Sequence, residues 1–181
     1  METYTAPKPF EDNPGFQTDR QIALSSLDVT LIDDPLVGLI DELNKLPYLF
    51  TLQCCHGHFL TTDNKEISDF DLLGASNKIE YRLAYIAFCI ENSPQGKAFS
   101  HKLKNIPLTV DRSLVQFCSA QWFWDQWVNS YALQLMPQRF KDKDSAVIDY
   151  HEARELKRVR GILFTYMRDF TDKILEQTNI S

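Results

Sequence analysis

The sequence predicts one α/β (α+β) domain: a mixed sheet of about four to five strands, packed by a long C-terminal helix and two shorter helices. Three observations lead there. From Ala153 to Ile174, apolar residues recur every three or four positions for about six turns, the pattern of one helix face. Short apolar runs near residues 48–55, 81–90, 113–120 and 131–136 have the length and the β-branched or aromatic content of buried strands. The chain has 181 residues, 44% of them hydrophobic, which suits one domain able to bury a core without disulfide or metal staples.

Residues 1–24 read as an extended N-terminal arm, punctuated by Pro7, Pro9, Pro14 and Gly15 and anchored through Phe10 and Phe16. Residues 25–181 form the domain. Ser26–Ile32 alternates Leu27, Val29 and Leu31 with Asp28 and Thr30, which predicts a short strand. A helix follows, capped by Asp34, with Pro35 in its first turn and Leu36, Leu39, Ile40 and Leu43 on one face; Pro47 ends it. Tyr48–Cys55 is a strand. Simple alternation puts Phe50, Leu52 and Cys54 on one face and Thr51, Gln53 and Cys55 on the other. Gly57 breaks it, and residues 60–78 form a polar loop long enough to act as a lid.

Tyr81–Ile90 reads as one buried strand. Ser93-Pro94 opens a helix that runs to Asn105 and stops at Pro107. Ser113–Ala120 and Tyr131–Met136 are strands; the segment 121–129, with Trp122, Trp124 and Trp127, extends them or forms an aromatic hairpin tip. Asp149 and Glu152 have the spacing of a capping box before the final helix. Gly161 inside that helix would permit close approach to a strand. Arg154, Lys157 and Arg158 make a basic stripe on it, read as a solvated face, with Arg160 beside them.

A net charge of −6 disfavours a broad surface for duplex nucleic acid. No run is apolar for long enough to cross a bilayer, and the first thirty residues lack the apolar core of a signal peptide. Four cysteines do not make a disulfide framework. Together these features point to a soluble, cytoplasmic protein with reduced thiols.

The chemistry concentrates at Cys54-Cys55-His56-Gly57-His58, which holds two of the four cysteines and two of the four histidines. One reading is a nucleophile site: Cys55 as a thiolate of lowered pKa, with His56 or His58 as its base and the Gly57 turn offering backbone N–H groups to an anion. Thr51, Gln53 and Gly57 would then orient a ligand or cofactor. The alternative is a metal site in which Cys55, His56 and His58, thiolate and imidazoles suited to zinc, join one remote ligand. A third reading is a non-catalytic ligand-binding module whose aromatics form a homo-oligomer interface. Gln116 and Gln134 point into a pocket or outward to water.

The segment 36–58 also resembles the wybutosine-synthesising methyltransferase family. A helix ending Asp-Glu-Leu-Asn-Lys, then an aromatic strand, leads into Thr51-Leu52-Gln53-Cys54-Cys55-His56-Gly57-His58. The family's hallmark is Thr-Ser/Thr-Ser-Ser-Cys-Ser-Gly-Arg; Thr51, Cys55 and Gly57 agree, while positions 52, 53, 54, 56 and 58 differ. The resemblance implies a methyltransferase-like or nucleotide-handling enzyme that uses S-adenosylmethionine on a modified guanosine of tRNA, hence a small-molecule or nucleotide ligand. The turn is also similar to that of uncharacterised bacterial proteins with a Cys-x-Gly-His turn.

Overall fold

A computed structural model of the chain describes residues 4–61, 63, 65–67 and 78–179. The α/β class, the four-stranded sheet and the long C-terminal helix are as the sequence predicts. The sheet is not mixed as expected: every described ladder is antiparallel, and a second sheet of three strands is added. The strands are β1 (Leu49–Cys55), β2 (His58–Leu60), β3 (Ile79–Arg82), β4 (Ala84–Ile90), β5 (Val115–Ser119), β6 (Ser130–Leu135) and β7 (Ser145–Ile148). The larger sheet has the order β1-β4-β6-β5 and the smaller β2-β3-β7.

One face of the larger sheet carries Ile86, Phe88, Leu133, Leu135 and Phe117, and it holds the main core. Three helices pack on it, α2 (Asp34–Lys45), α3 (Pro94–Thr109) and α5 (Tyr150–Asn179), and the smaller sheet adds Phe59, Ile79, Tyr81 and Ile148. α2 buries Leu36, Leu39, Ile40 and Leu43, the positions its periodicity selects. α5 runs for 30 residues and packs on α2 and β3. Its start is half of a capping box: Asp149 Oδ1 accepts the Glu152 N–H at 2.9 Å, whereas the Glu152 carboxylate turns away to Arg139.

Several boundaries differ from those expected. The arm is extended only up to Gly15; Phe16–Ser25 is a helix, α1. Tertiary contacts hold it rather than a strong periodic face. Arg20 donates to the carbonyls of Asn44, Leu46 and Leu49, and Phe16 meets Phe50 at 5.5 Å. The extended part lies along the sheet, where Ser119 N–H bonds Thr5 O and Phe10 packs on Tyr131. Ser26–Ile32 is not a strand. Val29–Leu31 is a 3-10 turn fastened by Asp28, whose carboxylate accepts the Thr30 N–H at 3.0 Å. Its alternation finds no sheet partner, and Leu31 is 83% exposed.

Residues 81–90 are two strands, not one. The chain changes sheets at Leu83, whose N–H bonds Asp144 O. The Tyr81 hydroxyl fixes the corner: it accepts the Ala84 N–H at 3.1 Å and donates to Leu135 O at 2.9 Å. α3 continues through Pro107 to Thr109, so the proline, which offers no N–H to the Leu103 carbonyl, does not end the helix. The tryptophan segment does not extend the strands; it forms the tip that joins the antiparallel pair β5 and β6, and it opens with a short helix, α4 (Gln121–Trp124). Its return leads through Asn129, at φ 64°, into β6. Gly161 approaches no strand, since a methyl group there would meet nothing within 4 Å. The loop expected at 60–78 falls mostly outside the described residues.

Candidate functional site

The site begins with a defect in β1. Thr51 pairs with Phe88 and Gln53 with Ala87, so Leu52 is a bulge. Directly opposed residues share a face. Phe50, Gln53 and Cys55 oppose Cys89, Ala87 and Tyr85, which alternate along one face of β4. Cys54 points the other way, into the main core. The uninterrupted alternation read from the sequence therefore fails at one residue. Phe50 and Cys55 end up on one side, and Cys54 opposes them.

After Cys55 the chain turns sharply. Gly57 sits at φ +85°, and a Cβ there would lie 2.7 Å from Ala84 Cβ, so only glycine fits both the conformation and the space. The turn is gripped from outside: Arg160 of α5 donates to the Gly57 carbonyl and covers the Phe59 ring at 5.1 Å. Arg160 thus leaves the basic patch of α5 and points inward. Arg158 pairs with Glu155, as a solvated face would.

The two histidines part company here. His56 stacks on Phe164 with ring centroids 5.4 Å apart. Burial, followed by the Arg160 charge, pushes its pKa down to about 4. His58 turns the other way, towards Asp33 and Glu66. Its Nδ1 lies 3.0 Å from Glu66 Oε1 and its Nε2 3.6 Å from Asp33 Oδ2. Asp33 occupies the N-cap position of α2, but its side chain makes no cap there. Instead its Oδ2 accepts the His56 N–H at 2.6 Å. Cys55 completes the group, its sulfur accepting the Gly57 N–H at 3.4 Å. Asp33, Cys55 and His58 each place one donor atom within 4.8 Å of the other two.

This arrangement alters the expected roles. Of the three residues Cys55, His56 and His58, only Cys55 and His58 converge. The third partner is Asp33, which the sequence reading missed. The available signal was a second acidic residue just before Asp34-Pro35, since one helix start needs only one cap. Burial pushes the Cys55 pKa up rather than down, with the hydrogen bond from Gly57 opposing it in part. Cys54 is pushed up to about 11, again by burial, then by the Asp33 charge. Both ring nitrogens of His58 face carboxylates, Nδ1 that of Glu66 and Nε2 that of Asp33.

Thr51 is buried at the wall of a cavity, of about 520 Å³, that Cys55 does not line. It is fastened to α2, with its N–H donating to Asn44 Oδ1 and its hydroxyl accepting from Asn44 Nδ2, both at 2.9 Å. Gln53 is exposed on the wall of a cavity of about 660 Å³ between the two sheets. Cys55, Tyr85, Trp122, Arg82 and Asp144 also line it. Trp122 meets Tyr85 edge-on at 6.4 Å. The other tryptophans are used within the fold: Trp124 packs on Tyr131, and Trp127 on Phe50. Gln116 and Gln134 are buried and bond each other at 3.2 Å, so they face neither pocket nor water. No disulfide joins Cys54, Cys55, Cys89 or Cys118. No described helix is long and apolar enough to cross a membrane.

Neither a protein-family model nor a curated protein sequence matches the chain. Among solved structures it is similar to the PH1069 protein from Pyrococcus horikoshii, with a TM-score of 0.45 and 14% identity over 88% of this chain and 90% of that one. A structure of PH1069 from Pyrococcus horikoshii OT3 gives a TM-score of 0.42 and 14% identity over 89% and 90%.

Proposed function

We propose that the protein is a nucleotide-handling enzyme of methyltransferase-like type that takes a planar ligand, such as the adenosine of S-adenosylmethionine, into the cavity between its sheets. The cavity of about 660 Å³ beside Cys55 carries this reading. Its volume lies within the range of small-molecule sites. Trp122 and Tyr85 offer ring faces and edges on which a base can stack. Gln53 adds an exposed amide able both to donate and to accept, which suits the edge of a base. Arg82, paired with Glu80 at 3.1 Å, and Asp144 bring charges of both signs to the rim, suited to the amino and carboxylate groups of an amino-acid moiety. The resemblance of residues 51–57 to the wybutosine-synthesising family points to the same ligand class.

The test is titration of the protein with S-adenosylmethionine, S-adenosylhomocysteine and guanosine nucleotides, read by calorimetry. The expected result is saturable binding of at least one of them, weakened about tenfold in Trp122→Ala, as the loss of one stacking partner implies, and kept in Trp127→Ala. No binding across the panel, or equal binding by wild type and Trp122→Ala, contradicts the reading.

A further inference from the structure

Asp33, Cys55 and His58 come from three different elements: the start of α2, the end of β1 and the start of β2. Bonds of about 2.0–2.3 Å in a tetrahedron put neighbouring ligand atoms about 3.3–3.7 Å apart. The 3.6 Å between His58 Nε2 and Asp33 Oδ2 falls in that interval. It is too long for a good hydrogen bond, for which 2.7–3.2 Å is usual. The sulfur of Cys55 lies within 4.8 Å of both neighbours.

The surroundings of each donor point the same way. Glu66 holds Nδ1 of His58 at 3.0 Å, which directs Nε2 to the centre. A carboxylate behind a ligating imidazole is the usual outer contact of such histidines. The His56 N–H fixes the Asp33 carboxylate, and the Gly57 N–H meets the sulfur. Each of the three donors therefore has one outer partner that sets its direction, and both backbone donors come from the tight turn at Gly57.

We propose that Asp33, Cys55 and His58 bind a divalent transition ion of the zinc class. Thiolate and imidazole select zinc or cobalt over magnesium and calcium, which prefer all-oxygen sites. Three protein ligands leave one position for water or a ligand, the pattern of catalytic rather than structural zinc. Cys55 also stands on the wall of the large cavity, so the centre and the cavity share a residue. The proposal does not rest on the nucleotide reading.

Cobalt(II) is the probe, titrated into metal-free wild type and variants whose folding is verified by circular dichroism. The wild type takes up one equivalent and gains a near-ultraviolet thiolate-to-cobalt band. Cys55→Ser loses the band and Cys54→Ser keeps it. Glu66→Gln leaves all three ligands in place; it weakens cobalt binding about tenfold if His58 is a ligand and not at all if it is not. A folded wild type that binds no cobalt, a band that survives Cys55→Ser, or unchanged affinity in Glu66→Gln overturns the proposal. The two readings fail separately: Trp122→Ala should leave the cobalt band intact, and loss of the band leaves calorimetric titration with nucleosides to be judged on its own.

Discussion

Gly57 shapes the turn through both its backbone and its missing side chain. Its positive φ lets the chain reverse between Cys55 and His58, and its missing side chain lets the turn lie against Ala84. The Gly57 N–H meets the Cys55 sulfur and its carbonyl takes the Arg160 guanidinium. A Gly57→Ala substitution forces both a strained backbone and a 2.7 Å contact. It should lower the free energy of unfolding by about 2–4 kcal/mol, read as a drop in the urea midpoint. At this scale the sequence was informative in part. The density of thiols and imidazoles marked the right turn, and the glycine marked where it bends. What could not be read is that His56 faces Phe164 while His58 faces Asp33, because adjacent residues leave a sharp turn in directions set by the turn itself. Asp33 was hidden for another reason: it lies 23 positions before His56, and only the packing of α2 on β1 brings it there.

At the scale of elements, legibility followed length. α5 and α2 repeat their apolar pattern over enough turns to stand out. β2, with three residues, and β3 and β7, with four each, are too short to show a period, so the second sheet was invisible. The same limit merged β3 and β4 into one apolar run, since a change of sheet at Leu83 leaves no mark in hydrophobicity. The Leu52 bulge had a larger effect, because one inserted residue exchanges the faces of everything after it. α1 was missed because Arg20 and Phe16 hold it through partners distant in sequence. The helices also yield a prediction. Gly161 lies in the middle of α5 facing open space, so it serves no close contact there. Gly161→Ala should stabilise the protein by about 0.5–1 kcal/mol, seen as a rise in Tm, with no change in cobalt or nucleoside binding.

At the scale of the molecule, α5 acts as a brace across the site. Near its middle Arg160 holds the Gly57 turn, and further on Arg168 donates to Pro35 O at 2.6 Å, securing the start of α2 where Asp33 sits. The elements that carry Cys55, His58 and Asp33 are thus tied to one rigid helix rather than to each other alone. Such support keeps converging donors in register when no single element holds more than one of them. The cavity lies between the two sheets, so its wall draws on both, with Cys55 and Tyr85 from the larger and Arg82 from the smaller. The central claim is that the donors which matter converge through the fold, as Asp33, Cys55 and His58, rather than following one another along the chain as Cys55, His56 and His58. The most direct measurement is the zinc content of wild type, Asp33→Ala and His56→Ala, each purified without added metal or chelator. The account predicts about one equivalent in wild type and His56→Ala, and its loss from Asp33→Ala. A wild type without zinc, or zinc kept by Asp33→Ala and lost from His56→Ala, would contradict it.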